Sequence, residues 1–369
     1  MIEIPSSVTP TAMEGHGGYN RSSQVQAAGL SPAVSMLEGA AAIVELAAWP
    51  QPIVIADYGS SQGHNSLVPI GAAISILRER IGPERAISVV HTDLPENDFA
   101  ALFQTLVNDP KSYLRNDSAL FASAIGRSFY EQILPCDSVT LGWSSWAVQW
   151  LSRAPGPIPD HVQVAFSNDV ATRAAFHRQA AEDWERFMLM RGRELRPGGR
   201  LAIMTMAVDE NGEFGYRPLL KAMYDALVAM VDSGFIHAEE LHAMAIPTVG
   251  RSREDFLAPF GETGRFGGLR IEEAQVFIGE DHIWSDFEQS GDASAFGSRW
   301  AAFSRASVFP TLAESLEGGG DARRSAFINR LEADTAMRLA TAPERMLIPL
   351  GKVLLAKEDP LSDRKLQTL

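Results

Sequence analysis

The sequence predicts an α/β fold built on an open, mostly parallel sheet, and three observations carry that reading. A continuous β-branched run, Ile53-Val54-Ile55, ends at Asp57 and breaks into the turn GSSQGHN; a second apolar run, 86–94, ends at Asp93; and each is followed by a stretch with helical spacing. Strand-then-helix units in succession are the pattern of a parallel sheet with right-handed crossovers.

Taken in order, residues 1–18 are rich in Ser, Thr, Pro and Gly and are expected to be mobile without a ligand. Residues 19–30 lead into a helix expected to run to residue 49, with Pro50 as its stop. After the strand at 53–57, apolar residues at Leu67, Ile70, Ile74 and Leu77 mark a helix over about 66–80 whose RER end suits the C-terminal dipole. The strand at 86–94 precedes a helix beginning in NDFAALFQTL. Two further short apolar pieces, 119–126 and 138–143, read as strands, and SSWAVQWL reads as the helix after the second. A long amphipathic helix over 170–194 stops at RPGG before a strand at 200–207. Beyond it lie a helical block at 212–262 broken at Ile246-Pro247, a strand near 270–278, two amphipathic helices between 294 and 340, and a last strand in MLIPLGKVLLAK. The expected organisation is an N-terminal lid and helix (1–49), a sheet core (50–208), an α-helical cap (209–265) and a return to the sheet with further cap helices (266–369).

Composition bounds the function. The 369 residues are 46% hydrophobic and carry a net charge of −14, which supports a large core and argues against neutralising nucleic-acid phosphates or anionic membranes. Cys136 is the single cysteine, so no internal disulfide and no cysteine-rich zinc site can form, and a reducing cytoplasm fits. No apolar run approaches the ~20 residues of a membrane span.

Ligands of open parallel sheets bind outside the carboxyl ends of the strands, and this chain puts an acid at two such ends, Asp57 and Asp93. An acidic side chain after the second strand accepts hydrogen bonds from both hydroxyls of an adenosine ribose, the role assigned to Asp93; Asp57 suits an amino group of methionine type. Gly59 and Gly63 allow the backbone to approach a ligand before the helix near Asn65. The alternative is a tight connection with no ligand. Ser128 and Phe129 offer an adenine platform, Ser144 and Ser145 either a site or a helix cap, and Trp146 and Trp150, four apart, one helical face that is usually core. His91, Asp93, Glu96 and Asp98 are a possible metal set, but a strand alternates faces and acids at a helix start suit its dipole.

The ordered series YNRSSQVQ, IADYGSSQGHNSL, TDLPENDF, RSFYEQILP, SSWAVQWLS and ELRPGGRLAI resembles the SABATH family of S-adenosylmethionine-dependent carboxyl and N-methyltransferases, over about residues 13–207, with a weaker likeness beyond. The resemblance implies a Rossmann-like class I methyltransferase core with a seven-stranded sheet and an α-helical cap. Its cofactor would be S-adenosylmethionine, held by Tyr19, Ser23, Asp57, Gly59, Gly63, Asn65, Asp93, Leu94, Ser128 and Phe129. The substrate, a small carboxylic acid, would be oriented by Gln26 and Trp150, with no acid or base taking part, in a pocket that includes Ser145, Trp146, Gln149, Leu219, Leu220, Ser304 and Ser307. Where the family carries His and Tyr, this chain has Trp143 and Trp146, and Gln149 replaces an apolar residue, so the pocket is expected to differ in shape and be more polar. No metal is expected; Asn168 is the one position the family suggests. The resemblance further implies a homodimer. Methylation of a heteroaromatic nitrogen and ligand binding without catalysis stay as alternatives.

Overall fold

A computed structural model of the chain describes residues 31–115 and 117–359. Helix α1 (Ser31–Ile43) packs on α2 and β5 through Leu37, Ala40 and Ala41. It ends six residues before the expected stop at residue 49. Arg80 donates to the carbonyls of Ala41 and Val44, and the Glu45 N–H turns to Gly198 O, so tertiary partners take the groups that a longer helix would use.

The parallel part of the sheet follows the expected rhythm: β1 (Ile53–Tyr58), α2 (His64–Ile81), β2 (Ile87–Asp93), α3 (Phe99–Asn108), β3 (Leu120–Gly126), β4 (Val139–Ser145), α4 (Val170–Glu194) and β5 (Leu195–Met206). The segment after β4 corrects one expectation. Residues 146–151 are not helical but form an irregular turn, begun by Trp146 at φ 54° and tied down where the Trp150 N–H donates to Ala147 O. RPGG is likewise no linker: Leu195 already pairs with Val139, and the register shift before Leu141 absorbs the glycines inside β5.

The remaining elements are α5 (Arg217–Asp232), α6 (Ala238–Ala243), α7 (Arg253–Leu257), β6 (Arg265–Phe266), β7 (Leu269–Ile278), α8 (His282–Ser290), α9 (Ala293–Ser307), α10 (Phe309–Ala313), α11 (Gly320–Thr341) and β8 (Pro349–Lys357). Three helices, not two, occupy the 294–340 region, and α8 precedes them. Strand β8 inserts antiparallel between β5 and β7, giving the order β3-β2-β1-β4-β5-β8-β7-β6. The sheet therefore has eight described strands instead of seven. The extra one is the two-residue β6, folded onto β7 by Gly267 and Gly268, both at positive φ as a tight hairpin of this type requires.

Helices α1 and α2 cover one face of the sheet and α4 the other, where Trp184, Phe187 and Met188 pack on Tyr58 and Ile203. The cap helices belong to two stretches of sequence yet close on one another, α11 lying against both α9 and α5. Strand order reverses between β1 and β4, so their carboxyl ends open a crevice. The register sets Asp57 level with His91 on one side and Trp143 on the other.

Candidate active site

The crevice is floored by the turn after β1. Gly59, Ser61 and Gly63 all have positive φ, and the Gly59 and Ser60 N–H groups donate to Thr92 O. A Cβ on Gly59 would stand 2.4 Å from that of Ala147 and 3.7 Å from the Phe129 ring, so the turn, the segment after β4 and the segment after β3 converge there and leave room for backbone only.

Asp93 ends β2 beside this turn. Its two carboxylate oxygens each accept one backbone N–H, from Ser61 at 2.7 Å and Leu94 at 2.8 Å. Burial outweighs these bonds and raises the carboxyl pKa to about 6. Asn97 steadies the turn by donating to Ser61 O. Each Asp93 oxygen keeps a further lone pair, which is what a diol could use.

Asp57 is fully sheltered, bonded through Oδ2 to His91 Nδ1 at 2.8 Å, while His91 Nε2 meets the Tyr113 hydroxyl at 2.7 Å. A carboxylate only accepts, so Nδ1 carries the proton. Burial, with the Asp57 charge, pushes the Tyr113 phenol well above its ordinary value, so Tyr113 keeps its hydroxyl proton while sharing a hydrogen bond with Nε2. His91 is thus engaged in holding Asp57.

Ser128 and Phe129 follow β3, with the Ser128 hydroxyl accepting from the Tyr130 N–H and the Phe129 ring edge-on to Tyr130 and Phe187. Arg191, wholly buried, fixes this stretch by donating to the carbonyls of Phe129 and Glu131 and to Glu194. Asn65 and Leu94, both half-buried, sit in the first turn of α2 and just after β2. Tyr19, Ser23 and Gln26 lie outside the described residues.

Beside the crevice, between the ends of β4 and β5 and helices α5 and α9, is a cavity with about 590 Å³ of empty space, part of it open to solvent. Trp146, Gln149, Trp150, Leu219, Leu220, Ser304 and Ser307 line it; Ser145, at the end of β4, does not. Its polarity is less available than Gln149 suggests. The Gln149 amide donates to Trp146 O and accepts from Thr205, and the Ser307 hydroxyl donates to Phe303 O. Gln163, Met206, Phe214, Tyr216, Met223, Ile246, Thr248, Phe303 and Val308 complete the lining without having been singled out in the sequence. The GYRP signal at Tyr216, a residue at φ 57° before a proline in the first turn of α5, was the one available clue. Asn168 is not among the lining residues; its N–H donates to Asp160. Among the described residues no group of three or more His, Cys, Asp or Glu could hold a metal ion, and no helix is long and apolar enough to cross a membrane.

A family model described as SAM dependent carboxyl methyltransferase matches residues 7–344. Methyltransferase FUS9 of Gibberella fujikuroi is 29% identical over 252 residues, 68% of this chain and 67% of that protein. A benzoic acid/salicylic acid carboxyl methyltransferase of Petunia hybrida is 27% identical over 290 residues, covering 74% of this chain and 81% of its own length. The solved structure of a loganic acid methyltransferase with S-adenosylhomocysteine superposes with a TM-score of 0.75 at 20% identity, over 95% of this chain and 99% of that one, and shows the same fold. The Rossmann-like core, the cap and the matched residues agree: the chain belongs to the family of S-adenosylmethionine-dependent carboxyl methyltransferases.

Proposed function

We propose that this enzyme converts a small, largely hydrophobic carboxylic acid to its methyl ester. One observation carries the substrate assignment: among the described residues the cavity lining holds no charged side chain and no histidine. Its one ionisable group, Tyr216, is kept protonated by burial, which pushes its phenol well above the ordinary value. With no base among the described lining residues to remove a proton, a nucleophile that arrives already deprotonated suits the cavity, and a carboxylate does so at neutral pH.

The cradle around Gly59 fits the expected cofactor, because the glycine lets the turn after β1 pack directly on Ala147 beside Phe129 and because the Asp93 oxygens retain acceptor capacity. S-adenosylmethionine supplies a methyl group on a sulfonium, and its displacement by a carboxylate oxygen leaves a neutral thioether with no proton to be moved. In this reading Asp93 and Leu94 hold the ribose end, Ser128 and Phe129 the adenine, and Asp57, Asn65, Gly59 and Gly63 the methionine end, with Tyr19 and Ser23 assigned to the same site by the family resemblance. Trp150 and Gln26 offer neutral donors that orient the carboxylate without blunting it, as a bidentate arginine would. The protein's part is alignment and exclusion of water. A reducing cytoplasm suits the lone Cys136, and the homodimer rests on the family resemblance. Transfer of a tritiated methyl group, screened over aromatic, indolic and aliphatic acids and xanthines, tests the assignment: base-labile label on acids is expected, and label on xanthines alone would overturn it.

A further inference from the structure

Four non-glycine residues of the described chain have positive φ: Ser61, Asp137, Trp146 and Tyr216. For bulky aromatics this region is an outlier that persists only where the surroundings impose it, and such outliers gather at binding sites. Trp146 and Tyr216 both line the cavity, one entering it from the sheet and the other from the cap. Both are almost wholly buried, at 6% and 1% exposure, and the Trp146 indole N–H and the Tyr216 hydroxyl have no hydrogen-bond partner among the described residues. Three other polar side chains of the lining behave differently. Gln149, Gln163 and Ser307 all spend their hydrogen bonds on the protein itself. The buried indoles of Trp143 and Trp300 are also unpartnered, but neither lines the cavity.

Buried polar groups are almost always satisfied, so two unpaired donors on residues that line one cavity mark where a ligand supplies acceptors. Resting on the carboxyl methyltransferase reading, we infer that the methyl-accepting acid is oxygenated: away from its carboxylate it carries neutral carbonyl, ether or hydroxyl oxygen that accepts from the Trp146 N–H and the Tyr216 O–H. Neutrality follows from the lining, which among the described residues offers no cation to balance a second anion. Tyr216 stacks on Phe303, with ring centroids 6.1 Å apart and planes within 8°, and meets Trp300 edge-on, so its hydroxyl is held rigidly. A site built to bond an oxygen discriminates strongly against the analogue lacking it, far more than a site built on shape.

The test uses the full-length protein with S-adenosylhomocysteine bound and measures, by calorimetry, the affinity of matched acids: phenylacetate, cinnamate and indole-3-acetate, each against its ring-hydroxylated and ring-methoxylated derivatives. At least one oxygenated acid is expected to bind about tenfold or more tightly than its parent. Tyr216→Phe, which removes the hydroxyl and keeps the ring stack, is expected to bring that ratio close to one, and Trp146→Phe to lower it. Parents that bind as well as every derivative, a ratio untouched by Tyr216→Phe in a variant that still binds S-adenosylhomocysteine, or no binding by any acid would each overturn the inference. Oxygen-selective binding without methyl ester from S-adenosylmethionine would overturn the carboxyl methylation reading instead and leave the two donors assigned.

Discussion

His91 Nδ1 donates to Asp57 Oδ2 across adjacent strands at 2.8 Å, with both side chains shut away from solvent. Parallel pairing of β1 and β2 puts the two residues in register, so the sheet itself sets the contact. His91→Ala would leave a buried carboxylate without its donor and the Tyr113 hydroxyl without its partner. A loss of about 1.5–3 kcal/mol follows for a hydrogen bond to a charged group. Urea denaturation should show it as a lower midpoint at unchanged slope, and S-adenosylhomocysteine should bind more weakly. An unaltered midpoint would show that Asp57 does not depend on His91.

Asp93 gives a pH dependence with a definite sign. Its folded carboxyl, at about 6, lies above the ordinary 3.8, so between roughly pH 4 and pH 6 the folded chain holds a proton that the unfolded chain has lost. Stability of the unliganded protein should therefore fall as pH rises through that window. Hydroxyl donors of a ribose favour the charged form, so affinity for S-adenosylhomocysteine should drop as pH is lowered through about 6, approaching tenfold per unit. Asp93→Asn should weaken binding and flatten this profile. Calorimetric titrations between about pH 5 and about pH 7.5 decide it, and an equally steep profile in the variant would remove Asp93 from the ribose site.

The two glycines of the first turn are not equivalent. Both have φ above +80°, but a Cβ on Gly59 would meet Ala147 Cβ at 2.4 Å, whereas one on Gly63 would meet the Cδ1 end of Leu102 at 2.5 Å. A leucine tip can rotate away; an alanine fixed in the turn after β4 cannot. Gly59→Ala should cost about 2–3 kcal/mol and most of the cofactor affinity, Gly63→Ala about 1 kcal/mol. Thermal unfolding and S-adenosylhomocysteine binding measured side by side check the order, and equal losses would contradict it.

Trp150 presents its ring to the cavity while its backbone is anchored on both sides, its carbonyl accepting from the Tyr130 hydroxyl and its bridge running to Thr248. Trp150→Phe keeps an aromatic ring there and removes the indole donor. If that donor orients the carboxylate, kcat/KM should fall about 10- to 100-fold, the worth of one hydrogen bond to a charge, with affinity for S-adenosylhomocysteine nearly unchanged. Parallel losses in both would make Trp150 a structural residue.

The parallel core was legible because buried strands announce themselves as continuous apolar runs, and because the acids Asp57 and Asp93 sit where such runs end. The turn after β4 was not, since SSWAVQWL has the apolar spacing of a helix, and only the tertiary fit of Trp146 at positive φ prevents one. Strand β6 escaped for a different reason: two residues are too few for periodicity, though Gly267-Gly268 carried the hairpin signal. Gln163 and Thr248 could not be read as cavity residues, because loop and cap positions far apart in sequence meet only once α5 and α9 close over the sheet.

Arg191 separates geometry from charge. Its guanidinium lies 4.2 Å from the centre of the Tyr58 ring and bonds the Phe129 and Glu131 carbonyls and Glu194 at once, an arrangement that needs a planar fork. Arg191→Met takes away the counter-charge of buried Glu194, which keeps only the Tyr58 hydroxyl and the Ile133 and Leu134 N–H groups, and should cost about 3–5 kcal/mol. Arg191→Lys keeps the charge but cannot reach three acceptors in one plane or stack in the same way, so its cost should be smaller, about 1–3 kcal/mol. The Phe129 carbonyl should nevertheless be released in both, and affinity for S-adenosylhomocysteine should fall in the lysine variant while the ranking of acids stays as in the parent enzyme, since the cavity lining does not touch Arg191. Urea denaturation gives the first pair of numbers and calorimetry the second. A lysine variant that binds S-adenosylhomocysteine normally would show that the segment bearing Phe129 holds its place without the fork, and would take Arg191 out of the cofactor site.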